Sequence, residues 1–197
     1  MSFSSFAAGA PVAGFVLAGG KSSRMGRDKA LLELDGELLI ERALRKLSAV
    51  CDEVAIAGGG AELARFGRVV PDLKPGLGPL GGIVAALEQS GWEWNLFLAV
   101  DMPFVPVEVL RALVAAAGGA EMVVLSRAEG YVQPLCGVYS RRALPALRAE
   151  LEAGRLKVKD AVAAAGAVGY VEFAELDWFR NLNTPEDLRA ASGFERE

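Results

Sequence analysis

The sequence predicts an α/β fold, a doubly wound, mostly parallel β-sheet in a single domain. Three observations carry that prediction. Short apolar runs recur along the chain without polar alternation, as expected of parallel strands covered on both faces. Between them lie stretches whose apolar residues fall three and four positions apart, the period of an amphipathic helix. The chain has 197 residues, 52% hydrophobic and 23% charged, which suits one large domain with a well-formed core.

The elements follow in order. Residues 1–11 read as a loose tail: the first basic residue is Lys21, so no positively charged secretory n-region precedes the apolar residues. The single domain then occupies 12–197. VAGFVLA (12–18) is the first strand. Residues 37–50 place Ile40, Ala43, Leu44, Leu47 and Val50 on one helical face. EVAIA (53–57) is the second strand, and a third ends at VVP, directly before Asp72. A helix over 80–90 aligns Leu80, Ile83, Val84 and Leu87. The strand NLFLAV (95–100) precedes a helix over 107–117 with Leu110, Leu113 and Val114, and EMVVL (121–125) is the next strand. Strands alternating with helices imply βαβ units with right-handed crossovers. Beyond residue 125 the pattern loosens. YVQPLCGVY (131–139) and GYVEF (169–173) are candidate strands, and 141–152 and 157–164 are helix-like. Thr184, Pro185, Glu186 and Asp187 form a helix start, with an N-cap, proline at N1 and acids at the positive dipole end.

Composition excludes several chemistries. The chain has no histidine, which removes His-based triads, His metal sites and His general bases. Net charge is −4 and the sequence pI about 5.1, against a general nucleic-acid binder. Cys51 and Cys136 lie far apart with no CxxC spacing, which points to a reducing cytoplasm. No apolar run approaches the roughly 18 residues of a membrane span.

Against that acidic background, FVLAGGKSSRMGRDKA (15–30) gathers Lys21, Arg24, Arg27 and Lys29 behind two adjacent glycines. GKS at 20–22 resembles the end of a Walker A loop, but its first glycine would fall at Phe15. No GxGxxG follows the first strand either. What remains is a strand, LAGG and a basic loop at the carboxyl edge of the sheet, where open α/β sheets bind ligands. Adjacent glycines let backbone N–H groups approach an anion, Arg24 offers a fork of donors, and Lys29 offers a point charge. Two carboxylates stand at the same edge. Asp101 follows the run NLFLAV and Asp72 follows VVP, and each can be read as a hard Mg²⁺ or nucleotide ligand or as a turn residue.

LAGGxSxRMGxDK resembles the signature loop of the molybdenum cofactor guanylyltransferases, nucleotidyltransferases with a Rossmann-like fold of the nucleotide-diphospho-sugar transferase type. LLELDGELLIER (31–42), VVPDLKPGLGPLGGI (69–83), DMP (101–103) and NLNTPEDL (181–188) extend the resemblance, in the same order. It implies transfer of GMP from GTP to the terminal phosphate of molybdopterin, with release of pyrophosphate and Mg²⁺ as cofactor. The roles it implies are backbone contacts to the nucleotide from Leu17, Ala18 and Gly19, and phosphate neutralisation by Lys29. Arg24 would meet a phosphate of either substrate, Asp72 the nucleotide, and Asp101 both Mg²⁺ and the nucleotide. Asn181 and Asn183 would face the second substrate, or with Thr184 simply organise the turn. Candidate partners are GTP, molybdopterin, and molybdoenzyme apoproteins or their chaperones, with no nucleic acid and no membrane. Relatives often carry a base-contacting asparagine after the second strand, where this chain has AGGG (57–60), so either backbone groups take its place or base selection differs. The competing readings are a molybdopterin cytidylyltransferase, whose branch typically shows LAAG, another sugar-phosphate nucleotidyltransferase, and a non-catalytic GTP-binding module that delivers cofactor.

Overall fold

A computed structural model describes residues 11–19, 28–74 and 76–191. Its strands in chain order are β1 (Val12–Leu17), β2 (Glu33–Leu34), β3 (Glu37–Leu38), β4 (Glu53–Ala57), β5 (Val69–Val70), β6 (Trp94–Ala99), β7 (Val123–Ala128), β8 (Tyr131–Ser140) and β9 (Val168–Phe173). Its helices are α1 (Leu39–Ser48), α2 (Gly78–Gln89), α3 (Val107–Ala116), α4 (Leu144–Glu152), α5 (Val158–Ala164) and α6 (Pro185–Ala191). The expected tail lies outside the described residues apart from Pro11. No helix among the described residues is long and apolar enough to cross a membrane.

Seven strands form one sheet in the order β5-β4-β1-β6-β8-β7-β9. β1, β4, β5 and β6 are mutually parallel where they pair, as are β7 and β9, whereas β8 runs antiparallel to both β6 and β7. The doubly wound, mostly parallel sheet is therefore as expected, with one reversed strand whose direction composition did not indicate. β1 and β6 are buried along their whole length. Side chains alternate between two apolar layers: Val12 and Val16 join Leu39, Ile40 and Leu47 of α1 and Leu110 and Leu113 of α3. Ala13, Phe15 and Leu17 join Leu80, Ile83 and Leu87 of α2, with Leu147 of α4 and Ala161 of α5. Phe15, Phe97 and Tyr139 bridge three adjacent strands on that second face, with centroids 5.4 and 5.2 Å apart. A packed layer on each face is what continuous apolar strands require.

The helix expected from residue 37 begins at Leu39, because LELDGEL makes a small hairpin first. Asp35 and Gly36, with φ of 51° and 85°, supply the two left-handed residues of a type I′ turn between β2 and β3. β8 carries Pro134 inside a register shift, where the partner of β7 jumps from Gly137 opposite Leu125 to Gln133 opposite Ser126. An irregularity there accommodates a residue that cannot donate to a ladder.

Candidate active site

The register aligns the carboxyl ends of four strands. Leu17 pairs with Ala57 on one side and Ala99 on the other, and Ala57 pairs with Val70. The row is continued by Ala18 N–H to Ala57 C=O at 3.0 Å, Gly58 N–H to Val70 C=O at 2.9 Å and Val100 N–H to Leu17 C=O at 3.1 Å. One step further, the chain leaves the ladder at Ala18 and Gly19, at Gly58, at Asp72 and at Asp101. Five sequence-predicted residues, Leu17, Ala18, Gly19, Asp72 and Asp101, thus share one rim. Arg24, with Lys21 and Arg27, lies outside the described residues.

On one side of the rim the surfaces are stripped of side chains. Gly58 and Gly59 have φ of 78° and 83°, a conformation that glycine adopts without cost. A Cβ on Gly58 would lie 3.0 Å from both Gly19 Cα and Asp72 Oδ1, and one on Gly59 would lie 2.4 Å from Leu63 Cδ1. Gly58 therefore carries no side-chain amide for a steric reason: the β1 and β4 loops approach backbone to backbone there, while Leu63 fills the space beside Gly59. Asp72 closes this cradle, since a Cβ on Gly19 would lie 3.3 Å from its Oδ2 and one on Gly82 would lie 3.7 Å from its Oδ1. Much of Asp72 is open to solvent, yet desolvation of its carboxyl raises its pKa above the ordinary value. Gly82 lies in the first half of α2, whose N-terminus has no side-chain cap and no acid in its first turn. An uncapped helix start beside a glycine cradle offers N–H donors and positive dipole to an anionic ligand.

On the other side the charged residues converge. Asp28 Oδ1 accepts from Ala30 N–H at 2.9 Å and starts a single 3₁₀ turn, Lys29–Leu31. Lys29 Nζ then donates to Asp101 Oδ2 at 3.1 Å and to Asn183 Oδ1 at 2.7 Å. The Lys29 and Asp101 side chains are each 21% exposed, accessible to a ligand but partly desolvated. The turn after β6 is closed by the main chain, Met102 N–H to Ala99 C=O at 3.1 Å, while the Asp101 carboxylate meets Lys29. The NLNTP segment reaches the same place: Leu182 N–H donates to Asp101 C=O at 2.9 Å. Leu182 is buried between exposed Asn181 and Asn183, so both amides face outward, but only Asn183 meets Lys29. Thr184 and Asp187 also cap α6, so Asn183 takes part in the cluster and in the turn at once.

A divalent ion fits this donor set in one way. Among the described residues no three acids or cysteines form a metal cage. On the Lys29 side of the rim Asp101 offers a hard carboxylate oxygen, which suits Mg²⁺ held by one carboxylate together with substrate phosphates and water.

Sequence reasoning missed Lys46. It lies in the last turn of α1, is only 7% exposed, and donates from Nζ to the carbonyls of Pro103 and, at 2.9 Å, Val105. It therefore ties the loop that follows Asp101 to α1. Its signal in the sequence was spacing: Lys46 lies three residues after Ala43 and four before Val50, at the margin of the apolar face, where a lysine reads as a solvated flank. Cys136 is fully buried and burial pushes its thiol up to about 12; Cys51 is pushed to about 12 by the same cause. Neither is a nucleophile at neutral pH.

Comparison with known proteins gives this geometry a lineage. Residues 14–167 match the MobA-like NTP transferase domain. A probable molybdenum cofactor guanylyltransferase of Pelotomaculum thermopropionicum is 41% identical over 184 residues, 89% of each chain. A molybdenum cofactor guanylyltransferase of Vibrio atlanticus is 35% identical over 88% of this chain and 91% of its own. The crystal structure of molybdopterin-guanine dinucleotide biosynthesis protein A from Archaeoglobus fulgidus superposes with a TM-score of 0.78 at 28% identity, covering 92% and 97% of the two chains. With sequence, fold and rim in agreement, the chain belongs to the MobA-like NTP transferase domain family.

Proposed function

We propose that this protein transfers GMP from GTP to the terminal phosphate of molybdopterin, with Mg²⁺, and releases pyrophosphate. The observation that carries the reading is the meeting of Lys29 and Asp101, 72 residues apart in sequence, in an ion pair beside a side-chain-free cradle. The molybdenum cofactor guanylyltransferases to which the chain is similar supply the choice of nucleotide and acceptor.

The chemistry needs no histidine. A phosphate monoester has a second pKa near 6, so at pH 7 the acceptor is already mostly a dianion. One of its oxygens attacks the α-phosphorus of GTP. The new P–O bond forms as the bond to the bridging oxygen breaks, and pyrophosphate departs with the electron pair. What the protein supplies is alignment of mutually repelling phosphates and neutralisation of spreading charge. Backbone groups of Leu17, Ala18 and Gly19 hold the nucleotide, with Asp72 closing the cradle beside them. Lys29 supplies positive charge to the transferring phosphoryl group, and Arg24 meets a phosphate of either substrate. Asp101 holds Mg²⁺, which when bound neutralises phosphate charge. Asn181 and Asn183 present amides toward the second substrate. In the cell this is a cytoplasmic activity whose product passes to molybdoenzyme apoproteins or their chaperones.

A panel of GTP, CTP and ATP with molybdopterin and Mg²⁺, read by pyrophosphate release, tests the reading. GTP should dominate, and Asp101→Asn should abolish release. Preference for CTP would reassign the protein to cytidylyl transfer. GTP binding with no release from any nucleotide would make it a carrier module.

A further inference from the structure

The start of α6 carries a hydrogen bond that capping alone does not need. In an N-terminal capping box the N-cap side chain and the residue three positions on satisfy each other's backbone N–H groups. Thr184 and Asp187 do so: Asp187 N–H donates to Thr184 Oγ1 at 3.1 Å, and Thr184 N–H donates to Asp187 Oδ2 at 2.8 Å. The same Asp187 oxygen also accepts from the N–H of Asn183, again at 2.8 Å, outside the helix. That bond pins the backbone of the residue whose side-chain oxygen accepts from Lys29 Nζ at 2.7 Å. One residue earlier, Leu182 is fully buried and its N–H holds the Asp101 carbonyl at 2.9 Å. Asn183 is thus fixed from both sides, by Asp187 after it and by the Leu182 anchor before it.

We propose that Asp187 is a positioning residue for the reaction, setting the Asn183 amide so that it holds the Lys29 ammonium opposite Asp101. The inference rests on the guanylyltransfer reading only for its kinetic consequence. A lysine head group sits on a flexible stem and is a point donor, so a single carboxylate at 3.1 Å leaves it free to swing about that contact. A second acceptor removes the swing, and an acceptor on a pinned backbone removes it at no further cost in order when substrate arrives. The Asp187 carboxyl lies below its ordinary pKa, chiefly because the Asn183 N–H bonds it, so it stays ionised through neutral pH. This use of Asn183 engages its carbonyl oxygen and is compatible with its NH₂ group donating to the second substrate.

The test compares Asp187→Ala, Asp187→Asn, Thr184→Ala and Asn183→Ala, using two readouts. In steady-state pyrophosphate release, Asp187→Ala should lose about tenfold or more in kcat with KM for GTP changed less than about twofold, as expected of a misplaced transition-state group. Asp187→Asn keeps an acceptor oxygen and should restore kcat to within about threefold of wild type. Thr184→Ala removes the other half of the cap, should lower Tm about as much as Asp187→Ala, and should keep kcat within about twofold. Adding Asp187→Ala to Asn183→Ala should cost nothing more. The second readout is the ¹H–¹⁵N signal of the Lys29 ammonium without ligand, assigned by its loss in Lys29→Arg. It should move alike in Asn183→Ala and Asp187→Ala and stay put in Thr184→Ala. An unmoved Lys29 signal in Asp187→Ala, additive losses in the double variant, or equal kcat losses in Thr184→Ala would overturn the proposal. If the wild type itself performs no guanylyl transfer, the parent reading fails, and the ammonium signal still decides this one.

Discussion

Replacing Lys29 with alanine separates catalysis from stability more sharply than any other change at the rim. Two contacts vanish, the 3.1 Å pair with Asp101 and the 2.7 Å bond that Lys29 donates to Asn183 Oδ1. Both lysine and aspartate side chains are 21% exposed, so the pair resembles a surface bridge worth about 1 kcal/mol or less. For a chain of this size that corresponds to about 2–4 °C in Tm. In the proposed reaction the same ammonium faces charge developing on a phosphoryl group inside a partly desolvated cleft. Loss of one such donor costs roughly 2.7–4 kcal/mol, or about 10²–10³ in kcat. The assay is pyrophosphate release from GTP and molybdopterin at saturating Mg²⁺, paired with a thermal melt. A variant whose kcat stays within about threefold of wild type would refute the role of Lys29. So would a collapse of Tm that accounts for the lost activity, because the contact would then be structural.

Two further substitutions probe the surroundings. Gly58→Ala forces a Cβ at φ 78° to within 3.0 Å of Gly19 Cα, a backbone atom that cannot rotate away. About 1–2 kcal/mol of left-handed strain plus separation of the two loops should lower Tm by several degrees and raise KM for GTP about tenfold or more, measured by melting and by initial rates. Lys46→Met keeps the volume of the stem but leaves the Pro103 and Val105 carbonyls without their ammonium donor. A loss of roughly 2–4 kcal/mol in denaturant unfolding is expected, together with a higher Mg²⁺ requirement, as the loop after Asp101 loosens. An unchanged Mg²⁺ titration would confine Lys46 to the fold.

Much of the architecture was legible because burial on two faces writes itself into composition. β1, β4 and β6 appear where continuous apolar runs stand, and α1, α2 and α3 where apolar residues recur at helical spacing. The hairpin at 33–38 was missed although Asp35–Gly36 is a strong turn dipeptide, because its strands are two residues each and show no period. β8 was visible as a strand but not as a reversed one, since a run of apolar residues reads the same in either direction. At the site, the pattern of glycines, Lys29, Asp72 and Asp101 marked the rim, while Lys46 looked like any solvated lysine on a helix. Its burial is decided by what packs over α1, a loop almost sixty residues away.

By itself, then, the sequence determined which segments are buried on both faces, the turn chemistry at their ends, and the presence of a glycine loop followed by positive charge. Those are local properties, set by side-chain volume, backbone freedom and spacing. Tertiary structure alone decided that Gly58 must lack a side chain, because the approach of the β1 and β4 loops leaves no room there for a Cβ. It alone decided that Lys29 lies between Asp101 and Asn183, 72 and 154 residues away, and that a helix cap at Asp187 reaches into the same cluster. Contacts over such separations depend on strand order and register, which arise from the packing of the whole sheet and are written in no single stretch of the chain.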